Sequence, residues 1–194
     1  MMKKIFAVVF AALASFAVVG SHAAAQMMND GMKSNNPMVG GAAMYRSKTI
    51  VENALNSPIH TTLVAAVKAA GLVDTLSGKG PFTVFAPTND AFAKLPAGTV
   101  DTLVMPDNKA TLTRILTYHV VAGRYDSKKI AQLIRKGKGT ATFTTVSGDK
   151  LMARMDGDNL VLVDEKGNTS TVTTADVYQS NGVIHVINTV VMPK

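Results

Sequence analysis

Four segments before residue 135 carry apolar residues three or four positions apart, the spacing of helices that bury one face. They span residues 50–55, 63–70, 112–119 and 130–134. Pro58 interrupts the pattern after the first segment, and Gly71 ends the second one. The hydrophobic pattern therefore predicts a group of short helices rather than a few long ones.

The period of the apolar residues becomes two after Gly139, where alternation predicts strands with one buried face. Turn-forming sequences separate these strands at residues 147–149, 156–159, 166–168 and 180–182, which predicts an antiparallel meander. The final strand, residues 183–192, is apolar on both faces and is expected to lie deep between layers. Together with an early strand at residues 82–86, this order of helices and strands predicts an α+β domain.

The N-terminus has the pattern of a secretory signal peptide. Lys3 and Lys4 precede an apolar run at residues 5–19, which is shorter than the ~20 residues that span a bilayer. Small residues follow up to Ala25, so we assign residues 1–25 to the signal and expect the protein to be periplasmic or secreted. Nothing after residue 25 resembles a membrane span, and no transmembrane segment is expected in the mature chain.

Residues 26–47 are poor in branched apolar side chains and predict a flexible leader ahead of a single domain at residues 48–194. The leader is rich in methionine, and thioether sulfur is a soft ligand that suits copper(I). Its methionines are irregularly spaced and no histidine accompanies them: Met27, Met28, Met32, Met38 and Met44. Copper binding by the leader is therefore only an alternative, and no metal site is predicted.

The chain has a formal net charge of +7 and no cysteine, which excludes disulfides, a thiol nucleophile and a cysteine zinc site. Much of the positive charge is local, because residues 124–138 contain one acid, Asp126, among several bases. The bases are Arg124, Lys128, Lys129, Arg135, Lys136 and Lys138. Such a cluster attracts anionic surfaces such as polysaccharides, lipid headgroups or acidic proteins, although a solvated helix face is the alternative. No nucleic-acid partner is expected, since Tyr125 is the sole aromatic residue interleaved with these bases.

No catalytic grouping can be recognised in the sequence. It lacks the Gly-x-Ser-x-Gly elbow of hydrolases and the glycine-rich loops of nucleotide sites. Asp90 has no adjacent carboxylate or histidine, so Thr88, Asn89 or Asp90 is interpreted as the cap of a short helix. We therefore predict a protein that is not an enzyme and holds no cofactor.

The histidines are interpreted as structural residues. His60, next to a predicted helix start, is expected to be exposed. His119 and His185 fall among apolar residues and are expected to be buried, with their ring nitrogens hydrogen-bonded. A zinc site would require both of them to converge with a carboxylate such as Asp90.

Three segments together resemble the signature segments of the fasciclin domain. They are Phe82–Leu95, Ile115–Gly123 with its Tyr118-His119 pair, and Asn181–Pro193, and the resemblance extends from about Thr49 to Pro193. It implies short helices packed on a wedge of two mainly antiparallel β-sheets, with the first and last segments on neighbouring central strands. It also implies an extracytoplasmic role in adhesion, without a general enzymatic activity.

In animal members of this family, a short segment before the closing signature is linked to integrin binding. The corresponding residues here are 174–178, which keep Asp176 and have Val177 as a near substitute, but lack the acidic residue or proline that usually precedes the aspartate. The resemblance therefore implies a binding patch formed by Asp176, Val177 and Tyr178 with the pair Tyr118 and His119. The alternative is that Tyr118 and His119 only join helix to sheet.

These observations predict an exported, single-domain, non-catalytic adhesion or binding module at the cell surface or in the periplasm. Its partner is expected to be a protein or polysaccharide of a cell surface or matrix. The alternative is a periplasmic carrier or sensor for a small ligand or copper, which would use the methionine-rich leader or a pocket near His119.

Overall fold

The computed structural model describes residues 36–194, so the predicted signal peptide and the first part of the predicted leader lie outside the described residues. The helices, numbered from the first described one, are α1 Ile50–Leu55, α2 Thr61–Ala70, α3 Val73–Ser77, α4 Asn89–Ala93, α5 Thr99–Leu103, α6 Lys109–Tyr118 and α7 Ser127–Lys136, with a 3₁₀ turn at Pro106–Asn108. The strands are β1 Phe82–Pro87, β2 Val120–Ala122, β3 Thr140–Thr144, β4 Lys150–Asp156, β5 Asn159–Val163, β6 Thr169–Gln179 and β7 Gly182–Ile187. Within residues 36–194, no helix has the length and apolar character needed to cross a membrane.

The strands form one seven-stranded sheet in the order β2-β1-β7-β6-β5-β4-β3. Strands β1 and β7 are parallel neighbours, and every other pair is antiparallel. The first and last signature segments therefore do lie on neighbouring central strands, as predicted. All six residues of β7 are buried, which confirms the expectation drawn from its two apolar faces.

The predicted wedge of two sheets is replaced by a single, nearly closed sheet. Strand β6 is long enough to pair with β5 at its beginning and with β7 at its end, so it joins the two halves. Its register shifts twice, between Val172 and Thr174 and between Thr174 and Val177, and such bulges bend a strand. A bridge between Val121 and Thr145 then brings β2 to the far end of the sheet.

Two hydrophobic clusters fill the domain. The first lies between the sheet and the helical layer and includes Leu63, Val67 and Leu116. The second lies where α7 covers the meander, and Ile130 and Leu151 are completely buried there. The alternation read from the sequence matches this second cluster, because β3 shows the burial pattern of a strand with one covered face.

Part of the described stretch of the predicted leader, residues 36–47, packs against the domain. Val39 and Met44 are both buried in the first cluster. The amide of Asn36 bonds both backbone groups of Tyr178, donating to its carbonyl at 2.6 Å and accepting from its N–H at 2.9 Å. A turn at Gly40-Gly41, with positive φ at both glycines, folds the segment back on itself. Tertiary contacts therefore connect residues 36–47 to the domain, and the domain boundary at residue 48 stays a prediction.

Candidate functional site

The loop that leads from β2 into α7 is fixed to the centre of the sheet. Thr83 of β1 donates its hydroxyl to the carbonyl of Gly123 at 2.7 Å and accepts the N–H of Tyr125 at 2.9 Å. Gly123 has φ 104, and a Cβ there would lie 2.9 Å from the Tyr125 ring. The ring of Tyr125 packs edge-on against Phe143 at 5.2 Å. The start of α7 is therefore held rigidly over the second cluster.

Asp176 also fixes the start of this helix, through its carboxylate. One of its carboxylate oxygens accepts the N–H of Ser127 at 2.7 Å, and the other accepts the Ser127 hydroxyl at 2.6 Å. Asp126, the N-cap residue, accepts the N–H of Lys129 at 2.8 Å. Two carboxylates thus bond to the first turn of α7, where a helix carries partial positive charge. Asp176 has φ 61 at the bulge of β6, and its two bonds to Ser127 give it a structural role. Its role in binding stays a prediction.

The predicted basic cluster forms one exposed face, which we call the basic face: Lys128, Lys129, Arg135, Lys136 and Lys138. Within α7, the four cations lie opposite the two buried residues, Ile130 and Ile134. Lys129 lies over the Tyr125 ring at 4.5 Å. Ion pairs within residues 36–194 join only Arg114 to Asp149 and Arg154 to Asp156, so none neutralises the basic face.

Arg124 lies beside the basic face, where its guanidinium is partly used within the protein. It donates to the carbonyls of Gln179 and Ser180 at 3.1 and 3.3 Å. Tyr178 is close by, with the guanidinium of Arg46 at 4.6 Å from its ring centroid. Burial raises the pKa of Tyr178, and the charges of Asp176 and Asp126 act in the same direction, while those of Arg46 and Arg124 oppose it. The structure therefore joins the exposed part of the predicted binding patch to the predicted basic cluster.

Lys138 is unusual in its backbone conformation. It follows the last turn of α7 with φ 55, in the left-handed region where helix ends normally place glycine. That conformation costs a non-glycine residue ~1–2 kcal/mol. Glycines stand on both sides of it, at positions 137 and 139, and nevertheless a lysine occupies the strained position.

Three members of the predicted binding patch are not at the surface. Val177 and Tyr118 are completely buried, and His119 is 2% exposed. The hydroxyl of Tyr118 donates to the carbonyl of Lys150 at 2.7 Å and accepts the N–H of Glu165 at 3.2 Å, and burial raises its pKa to about 12. The alternative interpretation of the Tyr118-His119 pair, a connection between helix and sheet, describes these contacts.

The core histidines have both ring nitrogens satisfied, as predicted. Nδ1 of His119 lies 2.8 Å from the carbonyl oxygen of Ile115, while Nε2 accepts the N–H of Val191 at 3.3 Å. In His185, Nε2 lies against the Tyr125 carbonyl and Nδ1 accepts the N–H of Asp176. Burial lowers the pKa of His185. No group of three histidine or carboxylate residues within 36–194 could hold a metal ion.

His60 contradicts the prediction that it is exposed. It is 3% exposed and lies at the start of α2, where its Nδ1 is 2.8 Å from the hydroxyl of Ser57. Burial lowers its pKa. The sequence around it suggested a helix end on the surface, but β1 covers this end of the helix, as the closeness of the Ala86 carbonyl indicates.

The methionines of the predicted leader give no support to copper binding within the described residues. Met44 fills the first cluster, while Met38 is 63% exposed. Met27, Met28 and Met32 lie outside the described residues.

Two asparagines of the signature segments have structural roles that the sequence analysis missed. Asn89 accepts the N–H of Thr62 at 3.0 Å and so caps α2, while Thr88 caps α4. Asn181 accepts the N–H of Ile50 at 3.0 Å and donates to two carbonyls near the end of α3. Asparagine next to glycine was interpreted only as a turn signal, which hid the second role.

Comparisons with known proteins agree with this geometry. The family model described as Fasciclin domain matches residues 58–193. Protein sll1483 of Synechocystis sp. is 45% identical over 186 residues, covering 96% of this chain and 95% of that protein. Cell surface glycolipoprotein MPB83 of Mycobacterium bovis is 35% identical over 159 residues, covering 79% of this chain and 64% of the relative. Among solved structures, a FAS1 domain pair from the insect cell adhesion molecule Fasciclin I has a TM-score of 0.65 at 22% identity, covering 73% of this chain and 50% of that one, which shows a shared fold.

Proposed function

Because this chain belongs to the fasciclin domain family, we propose that it is an exported, non-catalytic binding module that attaches to a polyanionic polysaccharide through its basic face. Relatives of the family include cell-surface proteins, and the signal-like start of this chain supports the same location. The observation that carries the proposal is the basic face itself: exposed cations without ion-pair partners among the described residues, presented by a rigidly anchored helix.

The helix dipole accounts for only part of this charge. Cations near the C-terminal end of a helix are stabilising, which explains Arg135 and Lys136. Lys128 lies in the first turn, where a cation is disfavoured, and it is offset only by the capping carboxylates Asp126 and Asp176. Lys138 occupies a strained backbone position. A lysine is therefore unfavourable at position 128 because of its charge and at position 138 because of its backbone conformation, and an anionic partner supplies a reason for both.

The spacing of the charges favours a linear polyanion. Lys128 and Arg135 are seven residues apart on α7, which places them ~10 Å apart along the helix axis. Lysine also predominates over arginine on this face. Lysine is a hydrated point charge suited to loose contacts with repeated anionic groups, whereas arginine favours fixed bidentate recognition.

Binding to dextran sulfate, with uncharged dextran as the reference, tests the proposal. We expect saturable binding to dextran sulfate that weakens at high salt. Replacing Lys128, Arg135, Lys136 and Lys138 by Gln should weaken it at least tenfold, about 1.4 kcal/mol. Lys129 is left in place because it packs on Tyr125.

The matched control carries Gln at four exposed lysines elsewhere: Lys79, Lys109, Lys166 and Lys194. It has the same net charge as the first variant and should bind like the wild type. An equal loss in both variants would mean that net charge alone attracts the polymer, and unchanged binding in the first variant would leave the basic face without a role. Thermal melting of both variants verifies that they are folded.

A further inference from the structure

An open cleft lies around the turn between β6 and β7. It has a volume of about 460 Å³, within the range of ~300–1,000 Å³ that is usual for small-molecule pockets. Its wall is formed by Thr49, residues 77–81, Arg124, Ser180 and Asn181. None of the five residues of the basic face belongs to this wall, so the cleft is a separate place at which a ligand can bind.

Hydrogen bonds to the turn between β6 and β7 hold the wall together. The N–H of Ser180 donates to the carbonyl of Lys48 at 3.0 Å, which fixes the segment next to α1. The side-chain amide of Asn181 donates to the carbonyl of Gly78 at 3.0 Å. Nη2 of Arg124 donates to the carbonyl of Ser180 at 3.3 Å. The wall is therefore preorganised, and a ligand does not have to order it on binding.

Two cations and no carboxylate line the cleft within residues 36–194. Lys79 is exposed and makes no hydrogen bond or ion pair in this part of the chain. Arg124 bonds carbonyls through Nη2 alone, so Nε and Nη1 can still donate. The acids of the adjoining helices, Glu52, Asp74 and Asp126, lie outside the wall. Glu52 and Asp126 accept bonds at the starts of their own helices, so the positive charge of the cleft is not neutralised.

The donors of the wall suit a tetrahedral oxyanion. The hydroxyls of Ser77 and Ser180 make no hydrogen bond to another described residue, and both residues line the cleft. Together with Lys79 and Arg124, they come from three separate segments, so they can donate to the several oxygens of a sulfate or phosphate group. Because Nη2 is already bonded, Arg124 cannot offer the paired N–H groups that recognise a planar carboxylate.

The rest of the wall suits a sugar or another polyol as the body of the ligand. It combines the carbon surface of Pro81 and the neighbouring glycines with hydroxyl and peptide groups, and a sugar presents both C–H surface and hydroxyls. No aromatic side chain within residues 36–194 lines the cleft, so an aromatic ring would gain no stacking contact there.

We propose that this cleft binds a small polyol that carries one sulfate or phosphate monoester, with Lys79 and Arg124 bonding the oxyanion. Two cations match one such group, since a phosphate monoester carries about −1.5 to −2 charges at neutral pH. The cleft and the basic face share no residue. This site therefore does not depend on the polysaccharide binding proposed for the basic face.

Glucose 6-sulfate and glucose 6-phosphate test the proposal, with glucose as the uncharged reference. Each is titrated into the full mature chain, in a buffer free of sulfate and phosphate, while the backbone amide signals of Gly78, Lys79 and Ser180 are followed by NMR. We expect an ester to shift these signals saturably, more weakly at high salt, and glucose to leave them unchanged. The ester that binds more tightly identifies the oxyanion, and either result supports the proposal.

Single substitutions locate the binding. Lys79→Gln removes a cation without a contact inside the described part of the protein, so the fold is not at risk. This change and Arg124→Gln should each weaken ester binding by about tenfold, the effect of one lost bond to a charged group. Lys109→Gln, at an exposed lysine outside the wall, should leave it unchanged.

The two variants of the polysaccharide experiment should give opposite results with the esters. The variant of the basic face should lose dextran sulfate binding and keep ester binding. Its control, which lacks Lys79, should keep dextran sulfate binding and lose ester binding. The proposal is overturned if neither ester shifts the amides of the cleft saturably, if glucose shifts them equally, or if Lys79→Gln binds like Lys109→Gln.

Discussion

Removing the titratable group at position 119 should flatten the dependence of stability on pH. His119 is 2% exposed, and Val191 donates its N–H to Nε2, so the proton of the neutral ring lies on Nδ1 and is donated to Ile115. Protonating Nε2 would place a donor against the N–H of Val191 inside the core. The folded protein therefore resists protonation of this ring.

The magnitude follows from the shift in pKa. Burial lowers the pKa of His119 from 6.5 to about 4, against the partial effects of the Ile115 carbonyl and the charge of Asp164. An unfolded chain binds the proton near pH 6.5 and the folded chain does not, so the stabilisation is complete above pH 6.5 and is lost as pH falls towards 4. Linkage gives a loss of ~2 kcal/mol by pH 5 and ~3 kcal/mol by pH 4.

Urea unfolding of the wild type and of His119→Gln between pH 7.5 and 5 measures this contribution. The variant should be less stable at pH 7.5, and the difference should shrink by ~2 kcal/mol at pH 5, because only the wild type loses the stabilisation due to this ring. His60 and His185 remain in both proteins, and their effects cancel. Tyr118→Phe is the control: it removes a neighbouring buried hydroxyl with a pKa of about 12, so its curve should run parallel to the wild type. A constant difference between wild type and His119→Gln at every pH would refute the reasoning.

Two further predictions concern the closing signature segment. Asn181→Ala should destabilise the protein by ~2–4 kcal/mol, because the Ile50 N–H and two carbonyls lose their partner. The control is Asn56→Ala at an exposed position, which should cost under ~1 kcal/mol. Urea unfolding of both variants measures the two losses, and equal losses would contradict the prediction. Gly182→Ala should lower stability by ~3 kcal/mol or more, because a Cβ would collide with the Phe82 carbonyl and the side chain of Ile50. Gly157→Ala, in open space with φ 59, should cost only ~1 kcal/mol when both variants are compared by urea unfolding, and a similar loss at both positions would argue against the close approach.

The period of the apolar residues was sufficient to predict the buried positions of elements that bury one face. The alternation in residues 140–144 predicted the buried positions of β3, and the turn sequences marked the ends of the hairpins correctly. Strand β7 was recognised as central because it has no polar face apart from His185. In each case the period of the side chains carries the information, and no knowledge of distant contacts is required.

Contacts between distant parts of the chain account for the errors. His60 is buried because β1 passes over the start of α2. Residues 36–47 contact the domain through bonds such as that of Asn36 to Tyr178, across 142 positions of sequence. The two sheets expected from the sequence are joined into one by bulges in β6 and by the Val121–Thr145 bridge. None of these features leaves a periodic signal, so the pattern along the chain could not predict them.

The residues that identify the family have few polar groups left for a partner. Asn181, Tyr118, His119 and His185 each direct their hydrogen-bonding side-chain atoms to the protein's own backbone. Such residues specify the fold, and a molecule outside the domain cannot use them without unfolding it. Recognition must therefore depend on positions outside these constraints. In this chain the cations of the basic face lie outside these constraints, since they are exposed and have no ion-pair partner among residues 36–194. We therefore expect fasciclin domains with the same signatures to bind different partners if they differ at such positions.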